Sequence, residues 1–422
     1  MRVYCLLFLL FCAATMQANA QQTYFTDVNS KLIKTLQVKV AGEFISEPYI
    51  ELNGDQQIQI NFDALEQGGV RYSYSIIHCD ANWQRSILSP IQYMSGFQGL
   101  TIDDFANSIN TTTQYTNYNL LLPNEDIQFK VSGNYAVQIY NEDIPDQIVL
   151  TACFSVVEPM VGISASVSGN TDIDTNQTHQ QVSFTVNNKN FPIPYPQTDL
   201  KIHVYQDNRR DNAVSGLQPT TILENQIGYT NNRSLIFSAG NEYRRMEFLS
   251  TKYNEMHIES ISYHNPYYNV ELMTDHKRSD QTYQYDQDQD GRFFIRCSSC
   301  DDPDTEADYC IVHFALACDP FLDGNVYLNG ELFHNVLDEK SKMGYNFETH
   351  QYEKAVLLKQ GSYNYQYLFV PNGSTVGETG PIEGNYYQAE NEYTIYVYYR
   401  PMGTQYDRLI GVTSVKNAMQ VF

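Results

Sequence analysis

Short stretches in which apolar and polar residues alternate recur along the whole chain. Examples are Ile58-Gln59-Ile60-Asn61-Phe62, Tyr135-Ala136-Val137-Gln138-Ile139-Tyr140, Gln181-Val182-Ser183-Phe184-Thr185-Val186 and Lys201-Ile202-His203-Val204-Tyr205. Tyr363-Asn364-Tyr365-Gln366-Tyr367 and Tyr393-Thr394-Ile395-Tyr396-Val397-Tyr398-Tyr399 continue the pattern. Successive strand side chains point to opposite faces, so a period of two marks a strand with one face buried. Turn signals separate the runs: Asn53-Gly54-Asp55, Gly68-Gly69, Ser132-Gly133-Asn134 and Asn329-Gly330. No stretch sustains a 3.6 period, and only 101–109 and 243–250 read as short helices. Many strands at this spacing predict an all-β chain of stacked sandwiches.

A chain of 422 residues has room for two to four ordinary domains. The run ending at Val157 meets Glu158-Pro159, where a proline stops pairing, so a first sandwich is expected over 21–158. A middle sandwich follows over 159–285, then an acidic linker or hairpin over 286–304, a third sandwich over 305–400 and a tail over 401–422. Residues 1–20 read as a signal peptide. Met1-Arg2-Val3 supplies a charged start, the stretch after it is mostly apolar, and Ala18-Asn19-Ala20 is a small-x-small cleavage site. No later stretch has the ~20 continuous apolar residues of a membrane-spanning helix. The exported chain is then expected to carry no transmembrane segment of its own.

The formal net charge of -23 excludes nucleic acid as an expected partner, since phosphate recognition needs clustered cations. Tyrosines number 34 against one tryptophan; tyrosine suits half-buried strands, where the ring packs and the hydroxyl reaches water. Of eight cysteines, Cys5 and Cys12 fall in the signal, leaving six. Cys297, Cys300, Cys310 and Cys318 have no standard zinc spacing, and an oxidising compartment favours two disulfides among them, pairing unspecified. Cys79 and Cys153 either bridge two sheets or stay as buried thiols.

Catalytic signatures are missing: no G-x-S-x-G, H-E-x-x-H, P-loop or dinucleotide fingerprint occurs, and an enzyme is not expected. Glu331 and Glu348 are the only carboxylate pair worth weighing as glycosidase residues. Asp286, Asp288 and Asp290 match the opening of a calcium loop, but the twelfth position is Cys297 rather than Glu. An acidic turn is the simpler account, and no cofactor is expected, structural calcium being the one alternative.

His78-Cys79-Asp80-Ala81-Asn82-Trp83 holds the only tryptophan. After it come Met94-Ser95-Gly96-Phe97, Ile102-Asp103-Asp104-Phe105-Ala106-Asn107-Ser108, Tyr115-Thr116-Asn117-Tyr118 and Ser132-Gly133-Asn134-Tyr135. Gly240-Asn241-Glu242-Tyr243-Arg244, Leu358-Lys359-Gln360-Gly361-Ser362-Tyr363 and Tyr406-Asp407-Arg408-Leu409-Ile410-Gly411 complete the series. In this order the set resembles the plug proteins of the type IX secretion system. The segment around Val326-Tyr327-Leu328-Asn329-Gly330 is similar to early-set glycogen-binding modules, with Phe333 where a stacking aromatic would stand and no tryptophan. The resemblance implies three tandem immunoglobulin-like or early-set β-sandwich domains. It implies a periplasmic protein, peripheral to the inner side of the outer membrane. It also implies a non-enzymatic role in closing the periplasmic opening of the large outer-membrane β-barrel translocon. Trp83, Phe97, Tyr115, Tyr118, Arg244 and Arg408 are the candidate partner contacts. A periplasmic glycan-binding protein and an extracytoplasmic scaffold or adhesive protein are the rival expectations.

Overall fold

The computed structural model describes residues 22–66 and 69–417, so the signal read over 1–20 lies outside the described residues. Strand accounts for 46% and helix for 5%, and the chain is all-β. Both expected helices are strands instead. The stretch 101–109 contributes Leu100–Thr101 and Phe105–Asn107, and 243–250 contributes Arg244–Phe248. In the latter Met246 and Phe248 are buried and Arg245 and Glu247 less so, a period of two set by pairing with Gly361–Pro371. Among the described residues the α-helices are single turns at Pro90–Tyr93, Pro196–Asp199 and Pro303–Glu306, each opened by a proline, whose fixed φ suits a first helical position.

The first sandwich ends at Val157. One sheet runs Asp27–Val28, Ile148–Val157, Gly133–Asn141, Tyr72–Cys79, Leu100–Thr101, with Tyr49–Glu51 parallel beside Ile148–Val157. The facing sheet runs Ile33–Val40, Ile58–Ala64, Thr116–Leu122, Phe105–Asn107. Ile58, Ile60, Phe62, Tyr135, Val137 and Ile139 meet between them, fully buried.

The other two sandwiches are nested. One sheet of the second is Gly162–Ser168, His179–Asn187, Gln226–Tyr229, Thr221–Leu223, with Ile236–Ser238 on His179–Asn187. Its partner sheet is Val214–Ser215, Leu200–Gln206, Glu392–Tyr399, Arg408–Lys416. The chain therefore leaves this sandwich after Ser238, builds the third, and returns at Glu392. The boundaries read from the sequence are corrected accordingly. Ile258–His264 and Tyr267–Leu272 belong to the third sandwich, not the middle one. Glu392–Tyr399 belongs to the second, and the supposed tail contains Arg408–Lys416, a paired strand of the second sheet. Alternation shows that a strand has a core face but not which core it meets, so the long-range register Leu200↔Tyr399 is invisible locally.

In the third sandwich Gly361–Pro371 is the hub. It pairs with Arg244–Phe248, Phe293–Ile295 and Gly324–Asn329. It faces a sheet of Ile258–His264, Tyr267–Leu272, Tyr309–Ala317, Gln351–Lys359 and Gly344–Asn346. Here the expectation of half-buried tyrosines fails. Tyr363, Tyr365 and Tyr367 are fully buried, and their hydroxyls donate within the protein. Tyr363 reaches the Lys359 carbonyl at 2.6 Å, and Tyr365 and Tyr367 share Asp275 Oδ2 at 2.9 and 2.7 Å. A buried hydroxyl with a partner escapes most of the desolvation penalty.

Ionic groups sit at the seams between sandwiches. Asp63 of the first and Lys359 of the third are both essentially unexposed, with Nζ 2.7 Å from Oδ2. Tyr309 donates to the same oxygen at 2.6 Å and Asn117 to the other at 2.8 Å. Lys359 also donates to the Asp304 carbonyl at 2.7 Å and lies 4.2 Å from the Tyr115 ring centroid. Arg292 joins all three bodies: it pairs with Glu47 of the first, Glu392 of the second at 2.8 Å and Asp290 beside it at 3.4 Å. The segment 286–304 is thus packed into a junction rather than acting as a linker.

Removing one partner of a buried, fully bonded ion pair strands the other charge and costs about 3–5 kcal/mol. Lys359→Met is expected to lower the unfolding free energy by that order in urea titrations. The double variant Asp63→Asn/Lys359→Met is expected to recover most of the loss; a neutral single variant would show that the seam contributes nothing.

Candidate functional site

The His78–Trp83 stretch ends the strand Tyr72–Cys79 and turns back. Asp80 makes the turn: its carboxylate accepts from the amides of Asn82 and Gln84, both at 2.9 Å, and its carbonyl from Trp83 at 3.0 Å. Trp83 takes a positive φ of 61°. Its ring lies under Arg210 of the second sandwich, 4.7 Å from the guanidinium carbon, and Arg210 also donates to the Tyr24 carbonyl at 2.9 Å. The amide of Ala81 donates to Asp407 at 2.9 Å. The hexapeptide is a hinge pin between the first two sandwiches, and Trp83 is partly covered by its own chain. His78 is buried, its ring bonded to Ser86 Oγ at 2.9 Å and the Ser132 carbonyl at 3.1 Å. Burial pushes its pKa down to about 4, so it is neutral.

Three other expected partner contacts are corrected by their burial. Tyr115 is 2% exposed and donates to the Ala307 carbonyl at 2.8 Å, so it meets the third sandwich of its own chain. Tyr118 stacks on Phe62 at 5.2 Å and donates to the Val70 carbonyl at 2.7 Å. Arg244 forks onto Glu383 at 3.0 and 2.9 Å and reaches Asp275 at 2.7 Å. Burial opposes the charge on Asp275, yet the His257 ring 3.2 Å away and the Arg244 guanidinium hold its pKa down at about 2. Arg408 pairs with Glu158 while keeping 29% of its side chain exposed. Its neighbour Asp407 is fully buried and holds Lys201 at 2.9 Å.

Cys297 and Cys300 form a disulfide. The second expected bridge is absent: Cys310 and Cys318 are free thiols, Cys310 on Tyr309–Ala317 and Cys318 just past its far end, too distant along one extended strand to meet. Cys79 and Cys153 do not bridge two sheets. They lie on strands of one sheet, separated by Gly133–Asn141, under Tyr24 and Trp83, and burial pushes the Cys153 thiol up to about 12. The carboxylates proposed for calcium are taken by protein donors: Asp286 by Arg245 at 2.6 Å, Asp288 by the amide of Tyr243, Asp290 by Lys416 at 2.7 Å. Among the described residues no cluster of three or more His, Cys, Asp or Glu could hold a metal ion. Glu331 sits at the seam beside the Phe293 amide, 3.4 Å away, with burial raising its pKa to about 7, whereas Glu348 lies in an exposed turn; they do not form a pair.

Phe97 is different. It is 81% exposed, on a backbone pinned from both sides. Gly96 takes φ +108°, and a Cβ there would meet the Asp126 carbonyl oxygen at 2.1 Å. The Gln98 amide accepts from Ile76 N at 2.7 Å and donates to Ile76 O at 2.8 Å, capping a strand edge as a neighbouring strand would. Ile87 and Ile91 are 74% and 77% exposed, the first just before and the second within the turn Pro90–Tyr93, which a Ser89–Gln92 capping box closes. Gln92 bonds Gln405 at 3.3 Å, bringing the turn that carries the fully exposed Met402 to the same end. Sequence reading singled out Phe97 but missed Ile87, Ile91 and Met402; apolar residues next to Pro and Gly in turns were the available signal.

The sequence from 33 to 158 matches the family described as type 9 secretion system plug protein, first domain. No curated protein matches. Among solved structures, the chain is similar to a hypothetical protein from Parabacteroides merdae at 80% identity and a TM-score of 0.94, over 94% of this chain and all of that one.

Asp288 supplies a test of the junction. Burial first, and then Asp290, push its carboxyl up to about 8, from an ordinary value near 3.9. Between those values the folded state keeps a proton that the unfolded state has lost, so this group makes stability fall as pH rises from about 4 to about 8. Asp288→Asn keeps an acceptor for the Tyr243 amide and removes the titration. The variant is expected to gain on the order of 1–3 kcal/mol over the parent at pH 8 relative to pH 4, measured by chemical denaturation; parallel pH profiles would refute the assignment.

Proposed function

The chain belongs to the type IX secretion system plug protein family, and from that premise we propose that it is a non-enzymatic plug closing the periplasmic opening of the large outer-membrane β-barrel translocon. The observation that carries the reading is the family match across the first sandwich, the body that displays Phe97, Ile87 and Ile91. The mechanism is steric. Three sandwiches locked by buried ion pairs form a stiff body, and a stiff lid loses little conformational entropy each time it seats. Aromatic and aliphatic side chains held on fixed turns suit the role of anchors, since few residues carry most of an interface's energy. Among the described residues no helix is long and apolar enough to cross a membrane, so contact with the barrel rests on surface docking. A polar rim around a small apolar centre suits an interface that must also release.

The test is recovery from gently solubilised outer membrane with a tag at the C-terminus. The intact protein is expected to bring down a very large β-barrel, and its deletion to make cells leak small solutes. Phe97→Asp and Ile91→Asp together are expected to weaken recovery at least tenfold while leaving the thermal midpoint within about 2 °C, since surface changes away from packed features cost under ~0.5 kcal/mol. Recovery of the intact protein alone, as a soluble monomer, would overturn the proposal.

A further inference from the structure

A cleft of about 440 Å³ opens between the first and third sandwiches, a volume within the roughly 300–1,000 Å³ typical of small-molecule sites. One wall comes from the edge strand Ile33–Val40 and the residues before it. The other comes from the turn after Gly330 and from Gln351–Lys359. Leu332, Phe333, Val336 and Val356 line it while only partly covered.

The cleft is also cationic in a chain of net charge -23. Four of the chain's thirteen lysines line it, Lys31, Lys34, Lys340 and Lys354, against two carboxylates, Asp27 and Asp338. Lys340 is neutralised by Asp27 at 2.7 Å, and Lys354 donates to the Lys342 carbonyl at 2.8 Å. Among the described residues no carboxylate pairs with Lys34. Burial, and then Lys340, hold the Lys34 ammonium below its usual range; an anion beside it would relieve the charge repulsion. The walls are strained as well. Thr35, a β-branched residue, takes φ +53° at a bulge between Lys34 and Gln37, and His334 takes φ +54° opposite. Left-handed non-glycine residues persist only where their surroundings over-determine them, and they cluster at ligand clamps.

We propose that this cleft binds a single-chain anionic amphiphile, with its acyl tail against Leu332, Phe333, Val336 and Val356 and its carboxylate or phosphate head at Lys34. A partner β-strand fits less well, because the bulge interrupts the edge that such a strand would extend. The site is independent of the translocon reading, and neither outcome of its test bears on that reading.

Isothermal titration of the purified protein with dodecanoate, dodecyl phosphate and the neutral dodecyl maltoside, all below micelle formation, tests it. One-to-one binding of at least one anion is expected, with the maltoside at least tenfold weaker. Preference for dodecanoate points to free fatty acids, and preference for dodecyl phosphate to phospholipid head groups. Lys34→Glu is expected to weaken the anion at least tenfold, and Val356→Trp to block it by filling the tail channel, with circular dichroism confirming that both variants fold. Absence of heat with both anions, equal binding of the maltoside, or unchanged binding in folded Lys34→Glu would overturn the proposal.

Discussion

The seating of the first sandwich against the third turns on Asp63 and Lys359 meeting inside the protein. Two opposite charges with essentially no exposure lose their hydration, and the geometry must return it. It does so through Tyr309, Asn117 and the Asp304 carbonyl, which bond both ends, and through the Tyr115 ring that faces the ammonium. An apolar seam tolerates sliding; a pair with fixed donors on both sides has one low-energy register. Arg292 does the same where three bodies meet, and Asp407 of the second sandwich, held by Lys201 of the same body, accepts from the Ala81 amide of the first. The acidic surplus of the chain is therefore not all surface: several of its carboxylates are structural anchors that arginine and lysine hold from within.

The strands were legible because their signal is local. The run around Ile58–Ala64 and the one around Gly133–Asn141 read as strands and are strands, although burial covers both of their faces rather than one, and the strand before Pro159 ends at Val157. The nesting of the third sandwich within the second was not legible, because Glu392–Tyr399 looks alike whether it closes the sandwich just built or an earlier one. The tyrosines misled for a related reason. Tyr365 and Tyr367 read as amphipathic faces, but their hydroxyls end on Asp275, a residue some ninety positions away that no window of sequence places beside them.

The interaction residues show the same division. Phe97 stood out and is exposed; Tyr115 and Tyr118 stood out equally and are core. A conspicuous aromatic indicates an important contact without indicating whether the other side is the same chain. What separates them is backbone context. Phe97 follows a glycine that no other residue could replace, beside a glutamine that caps a strand edge, so the chain is bent there for display rather than for packing.

The nesting of one sandwich inside another has a consequence for time rather than shape. Glu392–Tyr399 and Arg408–Lys416 supply half of the second sandwich's partner sheet, and they are made after the third sandwich that they enclose. Bringing them to Leu200–Gln206 means closing a loop that holds a whole domain, and closing long loops carries an entropic cost that the pairing must repay. As the chain emerges from synthesis or export, its first sandwich can form early, but the finished body cannot exist until Arg408–Lys416 has arrived. A body built this way comes with its own delay: a truncated or half-delivered copy lacks the sheet that would make it stiff.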